Sequence, residues 1–254
     1  MRKIFPNNLL AIVGFALLSI GSAEASQAFV DLALYRPSTG QFFIRSSLNG
    51  SVTAIQFGAP GDEGLLCKAT ADALNGGEGL MVFRNGVWFL NIAADGATVD
   101  NSFAYGAPTD QPLCGSYGNS TVSEVGLFRG GLWFFSHSTT PTFSFGTVGD
   151  VAVHIGAKGL GNAIDRKNVI YGVYRAGVWY LNVSGTNTPN VFHTLGGLSQ
   201  DIPLLIPAWN GIGEYSIAIY RDGTWYIKPD PNGSTVVTVQ FGAIGDIPLV
   251  RGGH

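Results

Sequence analysis

Apolar and polar positions alternate along this chain in short runs, and the clearest set lies near the C-terminus. Ile202 to Pro207 is apolar and is bounded by Asp201 and the turn residues Trp209-Asn210-Gly211. Tyr215 to Arg221 alternates large with small or polar residues. Asp222-Gly223 interrupts the run, Thr224 to Lys228 resumes it, and Thr235 to Phe241 alternates β-branched residues with others. Alternation of period two, rich in Val, Ile, Thr and aromatics, predicts strands, and the runs are too short for helices. An Asp-Gly pair between two of them predicts a tight hairpin, because both turn residues need positive φ. The segment therefore reads as four consecutive antiparallel strands, A to D, joined by short turns.

The B–C hairpin of this segment, Tyr220-Arg221-Asp222-Gly223-Thr224-Trp225-Tyr226, has four upstream relatives. They are Tyr35-Arg36-Pro37-Ser38-Thr39-Gly40-Gln41-Phe42-Phe43, Phe83-Arg84-Asn85-Gly86-Val87-Trp88-Phe89, Phe128-Arg129-Gly130-Gly131-Leu132-Trp133-Phe134 and Tyr174-Arg175-Ala176-Gly177-Val178-Trp179-Tyr180. Successive copies begin 48, 45, 46 and 46 residues apart. A fixed period of this size marks an array of supersecondary units, and four strands per unit is the pattern of a propeller blade. Five hairpins predict an all-β, five-bladed β-propeller with four-stranded antiparallel blades. The ends support closure: Phe29 to Arg36 reads as strand B of a first blade, and Ile247 to Val250 is a spare strand A. Pairing the C-terminal strand with the N-terminal strands would remove two open edges.

Composition and charge refine this picture. Arg2 and Lys3 precede an apolar run, Leu9 to Ile20, and Ala23-Glu24-Ala25 has the small-x-small form of a cleavage site. Residues 1–25 read as a secretory signal peptide, and 26–254 as the propeller, secreted or periplasmic. The apolar run is short of the roughly 20 residues a spanning helix needs, so no membrane insertion is expected after cleavage. A formal net charge of −3, with only 12% of residues charged, argues against nucleic acid as a partner, since phosphate binding needs clustered Lys and Arg. Two cysteines, Cys67 and Cys114, sit at near-equivalent places in successive units. Either they are bridged, which needs Cα atoms within about 7 Å, or they are two small buried side chains.

A second phrase recurs where strand D ends. It reads Phe57-Gly58-Ala59-Pro60-Gly61-Asp62, Tyr105-Gly106-Ala107-Pro108-Thr109-Asp110, Phe145-Gly146-Thr147-Val148-Gly149-Asp150, Leu195-Gly196 running on to Asp201, and Phe241-Gly242-Ala243-Ile244-Gly245-Asp246. With the hairpin Tyr35-Arg36-Pro37-Ser38-Thr39-Gly40, these phrases resemble the FG-GAP/VCBS-type repeats of exported bacterial β-propeller proteins, whose units carry phrases such as YRPSTGTWY and FGxPGDIPV. The resemblance spans nearly the whole mature chain. It implies a propeller used for adhesion, ligand binding or scaffolding. Repeats of that family often hold calcium between strands A and B. The matching segments here, 68–78, 115–124, 156–168 and 208–214, lack alternating acidic residues, so no metal is expected at them. The segment 156–168 is the longest and carries Asp165-Arg166-Lys167, which points to a protruding loop.

Two recurring sets are candidates for chemistry. Arg36, Arg84, Arg129, Arg175 and Arg221 close strand B, and Asp62, Asp110, Asp150, Asp201 and Asp246 precede strand A. The aspartates could ring the mouth of a funnel, acting in catalysis or binding a cation, or they could cap turns while each arginine offers its planar fork to a carboxylate or to carbonyls. Repetition in every blade favours the structural role, because catalysis assigns different roles to different residues. Trp88, Trp133, Trp179 and Trp225, with Phe42 in the first copy, are either wedges between blades or a five-fold array of sugar platforms, and packing is favoured. Trp209 belongs to no repeat position and is the better candidate for an exposed aromatic that touches a ligand. His137, His154, His193 and His254 lack metal-ligand spacing, and there is no nucleophile elbow. Glu63, Glu78, Glu124 and Glu214 read as loop residues with no obvious partner for the two-carboxylate work of a glycosidase. Gly156 to Gly161 has no Lys-Ser/Thr ending to cradle phosphate. The expectation is a non-catalytic binding module without cofactors, taking a glycan or a surface protein as partner. A glycoside-active enzyme or an adhesive scaffold is the alternative.

Overall fold

A computed structural model of the chain describes residues 30–68, 78–115, 124–135, 140–155, 170–183, 188–211 and 214–251. The signal-peptide reading of residues 1–25 and most of the four segments compared with calcium loops lie outside these residues, as do His137 and His254.

Among the described residues, twenty strands form five four-stranded sheets. Blade 1 contains β1 (Asp31–Arg36), β2 (Gln41–Arg45) and β3 (Val52–Gln56), and blade 2 contains β4 (Glu63–Lys68), β5 (Glu78–Arg84), β6 (Val87–Asn91) and β7 (Asn101–Ala104). Blade 3 has β8 (Gln111–Gly115), β9 (Glu124–Arg129), β10 (Leu132–Phe135) and β11 (Phe143–Ser144). Blade 4 has β12 (Val151–Ile155), β13 (Ile170–Arg175), β14 (Val178–Asn182) and β15 (Val191–Thr194). Blade 5 has β16 (Ile202–Pro207), β17 (Tyr215–Arg221), β18 (Thr224–Lys228) and β19 (Val237–Gln240). The last strand, β20 (Ile247–Arg251), returns to blade 1 and pairs antiparallel with β1, from Asp31 opposite Arg251 to Tyr35 opposite Ile247. The first blade thus has the order β20-β1-β2-β3, and the ring is a closed five-bladed β-propeller. Strands A, B and C of blade 5 match the alternation in the sequence. Strand D is shorter than the run Thr235 to Phe241, because β18 pairs only as far as Ile227 and Pro229 soon follows, with no N–H to extend a ladder.

The inner strands β4, β8, β12, β16 and β20 lie side by side around the axis. Each has a ladder partner on one side only, and the sequence marks this. Pro112, Pro203 and Pro248 occupy the second residue of β8, β16 and β20, which an edge strand tolerates and a central strand does not.

The core is split into five apolar layers, one between each pair of neighbouring blades. Trp133 packs against Ala152 and Val173 of the next blade, Trp179 against Leu205 and Ile219, and Trp225 against Leu32 and Leu34. Trp88 meets Val125 and Leu127, and Phe42 fills the same place against Leu80 and Val82. Across each sheet, the ladder registers generate two rows of side chains. One row carries the large rings, as in Phe83, Trp88 and Phe103, and the other is slimmer, as in Gly64, Val82, Phe89 and Ser102. The ring-bearing row of one blade fills the wedge against the slim row of the next.

Candidate functional site

The B–C hairpins and the D-to-A connections share one face of the disc. In each blade the hairpin glycine carbonyl accepts the N–H at the end of strand D, as Gly40 does from Phe57 at 3.1 Å and Gly223 from Phe241 at 2.9 Å. This contact brings two backbones together. A Cβ on Gly223 would lie 2.7 Å from the Gly242 oxygen, and one on Gly242 would lie 2.7 Å from a Leu34 methyl. Both positions have positive φ, so only glycine satisfies both the dihedral and the gap.

The recurring charges meet at these connections. Arg36 grips Asp246, with Nε to Oδ1 at 2.7 Å and Nη2 to Oδ2 at 2.8 Å. Arg84 holds Asp62 at 2.5 and 2.8 Å, Arg129 holds Asp110 at 2.5 and 2.6 Å, and Arg175 holds Asp150 at 2.6 and 2.8 Å. Arg221 Nε donates to Asp201 Oδ1 at 2.6 Å. The second oxygen of each carboxylate also accepts a backbone N–H three residues upstream: Ala59, Ala107, Thr147, Leu198 and Ala243, at 2.7–2.9 Å. Asp201 accepts a further one from Gly197, which belongs to the connection that is one residue longer. Each guanidinium also lies over an aromatic ring of strand C. Arg36 is 4.5 Å above Phe43, and Arg84, Arg129, Arg175 and Arg221 are 5.0–5.2 Å above Phe89, Phe134, Tyr180 and Tyr226.

These five assemblies are structural clamps. The aspartate side chains are at most 1% exposed, whereas the arginines are partly open to solvent. Burial pushes the Asp110 and Asp201 carboxyls upward, but the arginine and backbone hydrogen bonds outweigh it and hold both below the usual range. Each arginine is raised by the hydrogen bond to its aspartate. Two tyrosines grip the same connections from the preceding blade: Tyr220 donates to the Ala243 carbonyl at 2.8 Å and Tyr35 to Ala59 at 3.4 Å. Burial, then the Asp246 charge, pushes the Tyr220 hydroxyl up to about 12, so it remains a donor.

The four repeat tryptophans are fully buried and offer no face to a ligand, which corrects their place among the candidate sugar platforms. Each indole N–H is satisfied internally, donating to Tyr105, Phe145, Leu195 or Phe241 carbonyls at 2.8–3.3 Å. Trp209 begins a one-turn 3-10 helix, Trp209–Gly211, and is half-buried against the layer between blades 5 and 1. Its backbone N–H donates to Ser216 Oγ, which donates to the Pro229 carbonyl, and this tether folds the turn back onto the blade. Trp209 is therefore packed rather than an open platform. Cys67 and Cys114 are bridged, with Cα atoms 5.8 Å apart, and the bond joins the inner strands of blades 2 and 3.

Three features escaped the repeat-based reading, because repetition draws attention to what the blades share. Gln111 spans from blade 3 to the free edge of β12, donating to the Ala152 carbonyl at 2.9 Å and accepting its N–H at 2.8 Å. His154 Nε2 lies 2.8 Å from the Cys114 carbonyl, and burial lowers its pKa. Phe192 on β15 is 58% exposed and is the only exposed aromatic side chain among the described residues. Aligning the outer strands by register would have singled out Phe192, since Ala54, Ser102 and Thr238 stand opposite the equivalent strand C rings.

Compared with known proteins, the chain matches no family model and no curated sequence. Its fold therefore rests on the internal repeat and on the geometry above. Among the described residues no group of three or more His, Cys, Asp or Glu side chains is placed to hold a metal ion.

Proposed function

We propose that this chain is a secreted or periplasmic, non-catalytic binding module related to the FG-GAP/VCBS-type repeat propellers, and that it recognises carbohydrate at a cell or polymer surface. The observation that carries this reading is the engagement of all five recurring aspartates. Each faces an arginine and at least one backbone N–H and is shut off from solvent. A glycosidase needs one carboxyl as acid and a second as base or nucleophile, both facing the sugar. Carboxylates locked to guanidinium groups fill neither role. The disulfide between blades 2 and 3 supports an oxidising compartment, and the leader-like residues 1–25 support export.

A glycan array probed with residues 26–254 tests the reading, and binding to one or more neutral glycans is the expected result. Failure to bind any glycan would leave an adhesive scaffold with a protein partner as the better account. Asp201→Asn separates binding module from enzyme. It should lower the melting temperature, because the buried carboxylate loses its charge-assisted hydrogen bonds from Arg221, Leu198 and Gly197, at a cost of about 2 kcal/mol. Polysaccharide turnover by the parent that vanishes in a fully folded D201N protein would establish the glycosidase instead.

A further inference from the structure

Blade 4 differs from the others at one place. In each blade the slim row runs from strand A to strand D through an aromatic residue on strand C: Phe43, Phe89, Phe134, Tyr180 and Tyr226. Opposite Phe43, Phe89 and Tyr226 the outer strand supplies Ala54, Ser102 and Thr238. Opposite Tyr180 it supplies Phe192. The fold does not need a large ring there, and the side chain remains more than half exposed.

Its position is nevertheless fixed. Phe192 meets the half-buried Tyr180 edge to face, with centroids 5.6 Å apart and planes at 83°. Tyr180 is in turn held by the Arg175 guanidinium 5.1 Å above its ring and by the layer between blades 3 and 4. The facing outer strand of blade 3, β11, has two residues, whereas the other outer strands have four or five. Thr194 stands exposed two residues beyond Phe192 on the same face of β15, about 7 Å away along the strand, and the exposed Asn190 just before β15 already accepts the Val183 N–H on its Oδ1 at 3.0 Å. Arg175 and Asp150 neutralise each other, so no unpaired charge from that clamp is directed at the ring.

We infer that Phe192, set on Tyr180 at the rim of the groove between blades 3 and 4, is a carbohydrate-stacking platform that takes the apolar face of a neutral pyranose. A rigid exposed ring suits the C–H face of a sugar, and the hydroxyl of Thr194 beside it suits the sugar's hydroxyl edge. An anionic ligand would find no open cationic partner in this clamp. The inference rests on the binding-module reading above and locates its contact surface.

The test is calorimetric titration of residues 26–254 with cellohexaose, chitohexaose, maltohexaose and xylohexaose. It compares the parent with Phe192→Thr, which installs the blade 5 residue, and with Phe192→Trp. The expected result is that the parent binds at least one of these sugars. F192T should then lose about tenfold in affinity with an unchanged melting temperature, and F192W should retain binding. A parent and F192T that bind the same sugar equally well would overturn the platform while sparing the module. A parent that binds none of the four would overturn the platform, and an empty glycan array as well would remove the carbohydrate reading itself.

Discussion

Glu63 shows how one atom type can shift the balance at an otherwise repeated position. It opens β4 at the place where Gln111 opens β8. Gln111 binds the free edge of the neighbouring inner strand through both amide atoms. The residue of β8 that corresponds to Ala152 is Pro112, which offers a carbonyl but no N–H. A carboxylate at position 63 has nothing there to accept, and burial raises its pKa above the ordinary 4.5. Because the folded state holds the proton more tightly, the favourable contribution is present at pH below the ordinary value and is lost as pH rises through the folded one. Glu63→Gln should therefore stabilise the protein at pH 7 by about 1 kcal/mol, the scale of one buried hydrogen bond. The gain should shrink to nothing below pH 4.5, and chemical denaturation across that range measures it. The clamped Asp110 and Asp201 act in the opposite sense. Their contribution is present above the ordinary carboxylate range and is lost as pH falls through their depressed values.

At the scale of the element, each inner strand is tied to its blade by one ladder and to its neighbours by side chains. The Cys67–Cys114 bond is the covalent form of that tie, spanning 47 residues of sequence. Replacing both cysteines with serine should cost about 2–5 kcal/mol in denaturant unfolding, with the blades otherwise intact. The elements themselves were legible in the sequence because repetition sampled each strand five times. The D-to-A phrase revealed its Asp, and the hairpin revealed its Arg, but that the two form a clamp within one blade depends on how strand B folds back beside the connection. Trp88, Trp133, Trp179 and Trp225 could be recognised as wedges by their recurrence. What could not be read was whatever a single blade does alone. Phe192 lies in a four-residue strand where alternation is barely established, and its partner Tyr180 becomes visible only once the C–D register is known. Trp209 misled for a related reason: its isolation from the repeat suggested exposure, whereas the Ser216 tether that packs it is seven residues away in sequence.

The whole molecule depends on one ladder that links distant parts of the chain. β20 completes the first blade, and Arg36 of that blade clamps Asp246 immediately before β20, 210 residues away in sequence. Deleting residues 247–254 would leave β1 with a bare edge and remove Leu249, which packs into the layer between blades 1 and 2. The truncated chain should lose cooperative unfolding and form soluble aggregates, detectable by calorimetry and size-exclusion chromatography. Deleting the same number of residues from a loop on the A–B side of a complete blade should be far milder.

The β1–β20 pairing also sets the order in which the molecule can be completed. Until β20 leaves the ribosome, the nascent polypeptide is at most a horseshoe whose first sheet is missing its innermost member. Whatever receives that polypeptide, a chaperone or a translocation machine, meets an open form until β20 has emerged, and that strand latches it shut.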